Sequence, residues 1–211
     1  MKKLYEYITQ NYKENEPIFS SDIKIKGMTQ NNIRVQLKNL MQAEKIKRFD
    51  SGIYFLPRKS IFGNGSELLV EQVIDSKYLQ NDGDRYGYIS GLIFCNQIGL
   101  TSQIPMQYEV VSNKATSDYR ETTLARSRII IRKPRVKITE ANYKNLQFLD
   151  MIKDVDIYSE ITGQRLRNCL FRYMEEADIK LDELETYYTY YPDKLYRNLV
   201  ETGVIYHGIL T

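Results

Sequence analysis

The chain has 211 residues, of which 42% are hydrophobic and 27% are charged, as in a soluble globular protein with one large or two small domains. No apolar run approaches the roughly 20 residues that a membrane-spanning helix requires, and no apolar segment follows the first two lysines. These features exclude a helical membrane protein, and we expect a cytoplasmic protein without a signal peptide.

The formal net charge of +3 conceals an uneven distribution of charge along the chain. Residues 1–59 contain 12 Lys and Arg against 6 Asp and Glu, whereas residues 140–211 contain 8 against 13. Residues 60–139 are nearly balanced, with 10 against 8. A basic N-terminal region and an acidic C-terminal region are expected when one end of a protein binds nucleic acid.

The N-terminal region has the pattern of a winged helix-turn-helix. An opening helix is predicted over residues 2–13, a short capped helix over 20–23, and a turn at Lys26-Gly27. Thr29 is the predicted N-cap of the next helix, because its hydroxyl can accept a hydrogen bond from an unpaired backbone N–H. The buried side of that helix carries four apolar residues at helical spacing: Ile33, Leu37, Leu40 and Met41.

The opposite side of the same helix predicts contacts to DNA bases. Amide side chains suit adenine, cations suit guanine, and an aliphatic group suits the thymine methyl. The candidate base-reading residues are Gln30, Asn31, Arg34, Val35 and Lys38. Two alternatives remain for this region: a small packing domain whose charges are only solvated, and a winged helix that serves as a protein-docking module.

Two β-rich runs, 46–49 and 53–56, surround Asp50-Ser51-Gly52 and predict a hairpin, the wing. The candidate phosphate contacts lie at the helix start and beside this hairpin: Thr29, Lys45, Lys47, Arg48 and Ser51.

The predicted domains are residues 1–59 and 60–211, separated by a hinge at 58–60 and Gly63-Asn64-Gly65. The second domain is predicted to contain a mixed α/β part, 60–139, and a helical part, 140–211. The fold class is therefore α+β: an N-terminal winged helix-turn-helix followed by a mixed α/β domain that ends in a helical region.

The mixed part is predicted to contain a helix from Ser66 to Leu79, a buried helix from Tyr86 to Ile98, and strands at 108–112, 129–131 and 136–139. Residues 122–139 contain six bases and no acid. Five of these bases form a candidate second phosphate surface, with alternation placing the first three on one face: Arg126, Arg128, Arg132, Lys133 and Arg135. The alternative is a solvated edge strand whose charges discourage aggregation.

The helical part is predicted to contain helices over 140–153 and from 162 or 163 to 174, and a last helix that starts near Pro192 and ends at Gly203.

The sequence offers little for catalysis. His207 is the one histidine, and Cys95 and Cys169 are far apart. The run 63–66 before a helix lacks the P-loop spacing. Acids at 175–178 and 182–185 have the spacing of a solvated helical face. We therefore predict no enzyme, no metal site and no cofactor.

Three central segments and two C-terminal ones resemble a known family. They are YGYISGL at 86–92, IGLTSQIP at 98–105, EVVSN at 109–113, LDEL at 181–184 and YPDK at 191–194. This set is similar to the body of AbiEi-type antitoxins of type IV toxin–antitoxin, or abortive infection, systems. Phe94-Cys95-Asn96 departs from the small or aliphatic residues that are commoner there.

The resemblance implies a DNA-binding antitoxin and autorepressor. The winged helix would bind double-stranded DNA at inverted repeats in its own promoter. The C-terminal domain would counteract a nucleotidyltransferase-like toxin without a stable complex. Two alternatives remain: a stand-alone winged-helix regulator with a ligand- or partner-sensing C-terminal domain, and a nuclease delivered to DNA by the winged helix.

Overall fold

The computed structural model describes residues 2–58 and 67–206 and has a mixed α+β fold. Contacts within the chain divide it into two compact units, residues 1–76 and 77–211. The predictions made for Gly63-Asn64-Gly65, Ser66 and His207 lie outside the described residues. Within the described ranges, no helix combines the length and apolar character needed to cross a bilayer.

The first unit contains three helices and a small antiparallel sheet of order β1-β3-β2 among its described residues. Its elements are α1 (Lys2–Asn11), β1 (Ile18–Phe19), α2 (Gln30–Gln42), β2 (Lys47–Asp50), β3 (Ile53–Phe55) and α3 (Val70–Ile74). The predicted opening helix and both hairpin strands are thus confirmed, and a π-helical segment, Asp75–Leu79, follows α3.

The apolar side of α2 forms the core of this unit together with α1. Ile33, Leu37 and Leu40 are buried against Leu4 and Ile8. Thr29 caps the helix as predicted, because its Oγ1 accepts a hydrogen bond from the backbone N–H of Asn32 at 3.2 Å. The core therefore fixes which side of α2 faces outward.

The predicted helix at 20–23 is wrong. Residues 20–22 form a turn in which the backbone N–H of Asp22 donates to the carbonyl oxygen of Phe19 at 3.0 Å. The N–H of Ser20 donates to the carbonyl oxygen of Gly52 at 2.9 Å, so the chain here is tied to the hairpin. The predicted turn at Lys26-Gly27 is confirmed, with Gly27 at φ +83°.

The second unit places a four-stranded sheet beside a group of helices. The described strands are β4 (Gln80–Asn81), β5 (Asp84–Arg85), β6 (Gly87–Ser90), β7 (Gln107–Ser112), β8 (Tyr119–Leu124) and β9 (Ser127–Arg132). The described helices are α4 (Gly91–Gln97), α5 (Tyr143–Lys153), α6 (Val155–Tyr158), α7 (Gly163–Ala177), α8 (Leu181–Glu185) and α9 (Lys194–Thr202). The sheet order is β6-β7-β9-β8, and only the β7–β9 pair is parallel.

The helices of the second unit share one apolar core. Phe148 and Leu149 of α5 are buried with Leu170 of α7 and with Leu195 and Leu199 of α9. The predicted helices at 140–153 and 162–174 correspond to α5 and α7. The last helix ends at Gly203 with φ +77°, as predicted, although Pro192 precedes its N-cap, Asp193.

The predicted buried helix from Tyr86 to Ile98 is wrong in its first part, which is strand β6. The strand residues pair with β7, and the helix begins only at Gly91, whose φ is +63°. The preceding helix begins later than predicted, because residues 67–69 are not helical and α3 starts at Val70.

The predicted strand at 136–139 is irregular backbone. The Asn113 side chain occupies both backbone groups of Ile138: its Oδ1 accepts from the Ile138 N–H at 3.0 Å and its Nδ2 donates to the carbonyl oxygen at 2.8 Å. A side chain thus takes the place of a neighbouring strand. Strand β8, which was not predicted, flanks β9 instead.

Candidate nucleic-acid interface

The outward side of α2 presents the polar residues that the sequence indicates as base contacts. Asn31, Arg34 and Lys38 are exposed, and Val35 is 53% exposed. Among residues 2–58 and 67–206, the side chains of Asn31, Arg34 and Lys38 have no hydrogen bond or ion pair. These three polar groups are therefore available to a ligand.

Gln30 and Thr29 differ from these residues because each already has a structural partner. The Gln30 Nε2 donates to the carbonyl oxygen of Ile23 at 3.2 Å and fastens the start of α2 to the preceding segment. The Thr29 hydroxyl accepts the capping hydrogen bond from Asn32. Both residues position the helix, whatever else they contact.

The hairpin β2–β3 carries cations beside a sharp tip. Lys47 and Arg48 are exposed, and the Arg48 Nε donates to the carbonyl oxygen of Asp50 at 3.1 Å. The Ser51 N–H donates to the Asp50 carboxylate at 2.6 Å, and Gly52 has a φ of +75°. These contacts order the tip, and the terminal guanidinium nitrogens of Arg48 have no hydrogen bond among the described residues.

The segment that contains α2 has a positive net charge. Residues 23–43 contain four cations and no Asp or Glu. Next to the helix end, the Lys45 ammonium lies over the Tyr5 ring at 4.7 Å from its centroid. An acid-free stretch of this length attracts phosphate over distances comparable with the Debye length.

The second candidate basic surface is engaged largely with carboxylates of the same unit. Arg128 pairs with Glu121 at 3.2 Å, and Lys133 pairs with Asp118 at 3.5 Å. Arg126 lies in the turn between β8 and β9, outside the strand that was predicted to align it with Arg128.

Arg135 and Arg132 also have partners within the second unit. Arg135 donates to the carbonyl oxygen of Tyr190 at 3.3 Å. Arg132 reaches the Asp150 carboxylate at 2.9 Å and lies 3.8 Å from that of Glu109. Three of the five cations, Arg128, Arg132 and Lys133, are therefore paired with acids of the same unit.

Asp150 is the centre of a buried ionic network. Its side chain is 3% exposed and accepts from the Ser90 hydroxyl at 2.7 Å, from Arg132, and from Lys153 at 3.2 Å. Burial alone raises the pKa of Asp150, but the Arg132 and Lys153 cations outweigh this effect and hold the pKa below its ordinary 3.8. The sequence signal was an acid within the run of apolar residues of α5.

The described residues offer no reactive thiol and no metal cluster. Cys95 and Cys169 are both buried, and burial, with a smaller effect of Glu109, raises the pKa of Cys95 to about 12. Within residues 2–58 and 67–206, no group of three or more His, Cys, Asp or Glu is placed to hold a metal ion.

Comparison of the chain with known protein families and with curated proteins finds no match. The assignment to the AbiEi-type antitoxins stays a prediction from the segments quoted above.

Proposed function

We propose that the first unit is a winged helix-turn-helix that binds double-stranded DNA, and that the chain is the antitoxin and autorepressor of a type IV toxin–antitoxin operon. The observation that carries the DNA-binding part is the outward side of α2, where exposed amide and cationic groups lack partners among the described residues. The resemblance of the central and C-terminal segments supports the antitoxin part.

In this proposal α2 enters the major groove. Asn31 and Arg34 lie near its N-terminal end, the end that most often meets base edges in this class of protein. Asn31 suits adenine and Arg34 suits guanine, while Val35 can contact a thymine methyl. Lys38, one turn further along, extends the same face.

The hairpin β2–β3 serves as the wing and contacts phosphates. Lys47 and Arg48 supply charge, and the tip at Ser51 and Gly52 lies beside them. Phosphate contacts position the protein without reading sequence, so these residues set affinity and α2 sets specificity. In this arrangement segment 20–28 takes the place of the first helix of the motif, and Gln30 holds the start of α2 against it.

The DNA-binding proposal is tested with the DNA upstream of the gene. Fluorescence anisotropy should show tighter binding to this duplex than to a shuffled duplex of equal length, and binding should weaken steeply with added salt. Equal affinity for both duplexes at every salt concentration would contradict a sequence-reading role.

The antitoxin proposal is tested by co-expression with the neighbouring gene. The full chain should restore growth when that gene encodes a nucleotidyltransferase-like toxin. If the full chain represses its promoter but never restores growth, it is a regulator without antitoxin activity. Failure of both repression and rescue would contradict the whole proposal.

A further inference from the structure

The helix α2 contains six amide side chains, and the structure divides them into two groups of three. The amides of the first group have hydrogen-bond partners within the protein. The Gln30 Nε2 donates to the carbonyl oxygen of Ile23 at 3.2 Å. The Gln36 Nε2 donates to the Asn32 Oδ1 at 2.8 Å, one helical turn away. These three amides therefore already contribute to the fold of the first unit.

The amides of the second group are exposed: Asn31, Asn39 and Gln42. Their side chains have no hydrogen bond to any residue of the ranges 2–58 and 67–206, so each keeps an unused N–H donor and an unused carbonyl acceptor. At about 100° per residue, Gln42 and Val35 lie about 20° and 40° from Asn31 around the helix axis, and Asn39 lies about 80° from it in the same direction. The unused amides thus share the outward side of α2 with Val35.

An amide with a free donor and a free acceptor matches one base in the major groove. Adenine presents an acceptor and a donor side by side, N7 and the N6 amino group, whereas guanine presents two acceptors and cytosine presents a donor. The aliphatic Val35 side chain, which is 53% exposed among these amides, suits the methyl group of thymine. Both kinds of side chain therefore favour A·T pairs.

The groups that would read G·C pairs are separate from these residues. Lys38 and Arg34 lie about 20° and 60° from Asn31 around the axis, in the direction opposite to the other amides. Cations suit guanine, so guanine contacts are expected along that one margin of the helix. The helix contains no Asp or Glu, the side chains that accept from the cytosine amino group.

We propose that the DNA half-site bound by α2 contains a run of three or more A·T pairs, and that Asn39 and Gln42 read it together with Asn31 and Val35. This inference rests on the proposed DNA-binding function and names the class of sequence that the function requires. The helix rises about 12 Å between Asn31 and Asn39, which corresponds to about three or four base pairs at a spacing of about 3.4 Å. Guanine preference is confined to the side of the run that Arg34 faces.

The first test selects bound duplexes from a library with a randomised central segment, using the full chain. The wild type should enrich sites that contain the A·T run. Asn39→Ala and Gln42→Ala should each reduce the preference for one A·T pair about tenfold, because one bidentate contact to adenine is lost. Gln10→Ala removes an exposed amide from α1 of the same unit and is the matched control. This control should enrich the same sites as the wild type.

The second test removes thymine methyl groups from the enriched duplex. Deoxyuridine in place of thymidine keeps the base pairs and deletes only the methyl groups. The wild type should bind the substituted duplex about fourfold more weakly, the effect of one methyl group returned to water. Val35→Ala should lose less affinity on the same substitution, because its side chain no longer covers that methyl group. Circular dichroism checks that every variant remains folded.

The outcomes separate this inference from the proposed function. If the wild type enriches no sequence, the sequence-reading role of α2 fails and this inference fails with it. If the wild type enriches a site but every preference that Asn39→Ala, Gln42→Ala or Val35→Ala alters falls on a G·C pair, DNA reading stands and the A·T assignment is overturned. The assignment is also overturned if Arg34→Ala alters a base preference and these three variants alter none.

Discussion

At the residue scale, the second unit depends on a buried carboxylate whose charge is balanced by two cations. Asp150 joins α5 to the sheet through Ser90 of β6 and Arg132 of β9. Removing one partner from a buried ion pair is costly because the remaining charge stays buried without compensation. The network therefore connects α5 to strands β6 and β9.

We expect Asp150→Asn to lower the free energy of unfolding by about 2–3 kcal/mol, because Arg132 and Lys153 would lose their shared counter-charge. This expected loss of stability is smaller than the loss for breaking a fully buried ion pair, because the Arg132 side chain is 23% exposed. Urea denaturation measures the change. Asp193→Asn is the matched control at an exposed site and should change stability by less than about 0.5 kcal/mol. Equal losses in both variants would contradict the network.

The same residue predicts a pH dependence. The pKa of Asp150 is lowered in the folded protein, so the folded state binds its proton less tightly than the unfolded chain does. Its contribution to stability is complete above the ordinary pKa of 3.8 and is lost as the pH falls through the lower folded-state pKa. Unfolding free energies measured from neutral to acidic pH should fall less steeply in Asp150→Asn than in the wild type.

At the scale of elements, two helices begin at glycines with the same backbone conformation but different surroundings. Gly91 starts α4 at φ +63°, and Gly163 starts α7 at φ +57°. A Cβ at Gly91 would lie 2.5 Å from the Glu109 carboxylate, whereas a Cβ at Gly163 would meet no atom within 4 Å. Alanine substitutions at these two glycines therefore separate the stability cost of the backbone conformation from the stability cost of a steric clash.

We expect Gly163→Ala to cost about 1 kcal/mol, the penalty of a left-handed conformation for an L-residue. Gly91→Ala should cost about 2–3 kcal/mol, because Glu109 must also move away from its contacts with Arg132 and Tyr158. Thermal or urea unfolding of the two variants tests this order. A loss at Gly163 that equals or exceeds the loss at Gly91 would contradict it.

The sequence predicted those elements whose pattern is local. The apolar side of α2, its Thr29 cap and the Gly203 terminus all depend on residues within one or two helical turns. The predictions were wrong for segments whose local structure is decided by a group that is distant in sequence. Ile138 bonds the Asn113 side chain instead of a neighbouring strand, and β6 forms because β7 pairs with it.

The candidate site residues also include some whose position was predictable from the local sequence and others whose contacts were not. The outward position of Asn31, Arg34 and Lys38 follows from the helical period and the buried side, so it was predictable. The ion pairs of Arg128 and Arg132 were not, since Glu121 and Asp150 reach them only through strand pairing and helix packing. A run of cations in sequence therefore did not become a free basic surface in the fold.

At the scale of the whole molecule, the symmetry of the proposed DNA site bears on how many copies of the chain bind it. DNA sites with inverted repeats present two half-sites related by a twofold axis, and a twofold protein pair matches that symmetry. The first unit carries the proposed DNA-contacting side chains, so we expect each half-site to take one copy of that unit.

The most direct test of DNA reading by α2 is the affinity of Arg34→Ala for the upstream duplex and for a series of single-base variants of it. The account predicts a loss of about 1–3 kcal/mol on the upstream duplex, with discrimination relaxed at one base pair. Lys13→Ala, which removes one exposed cation from the same unit, should retain that discrimination. If Arg34→Ala weakens binding equally on every duplex, Arg34 contacts phosphate and α2 does not read the sequence through it.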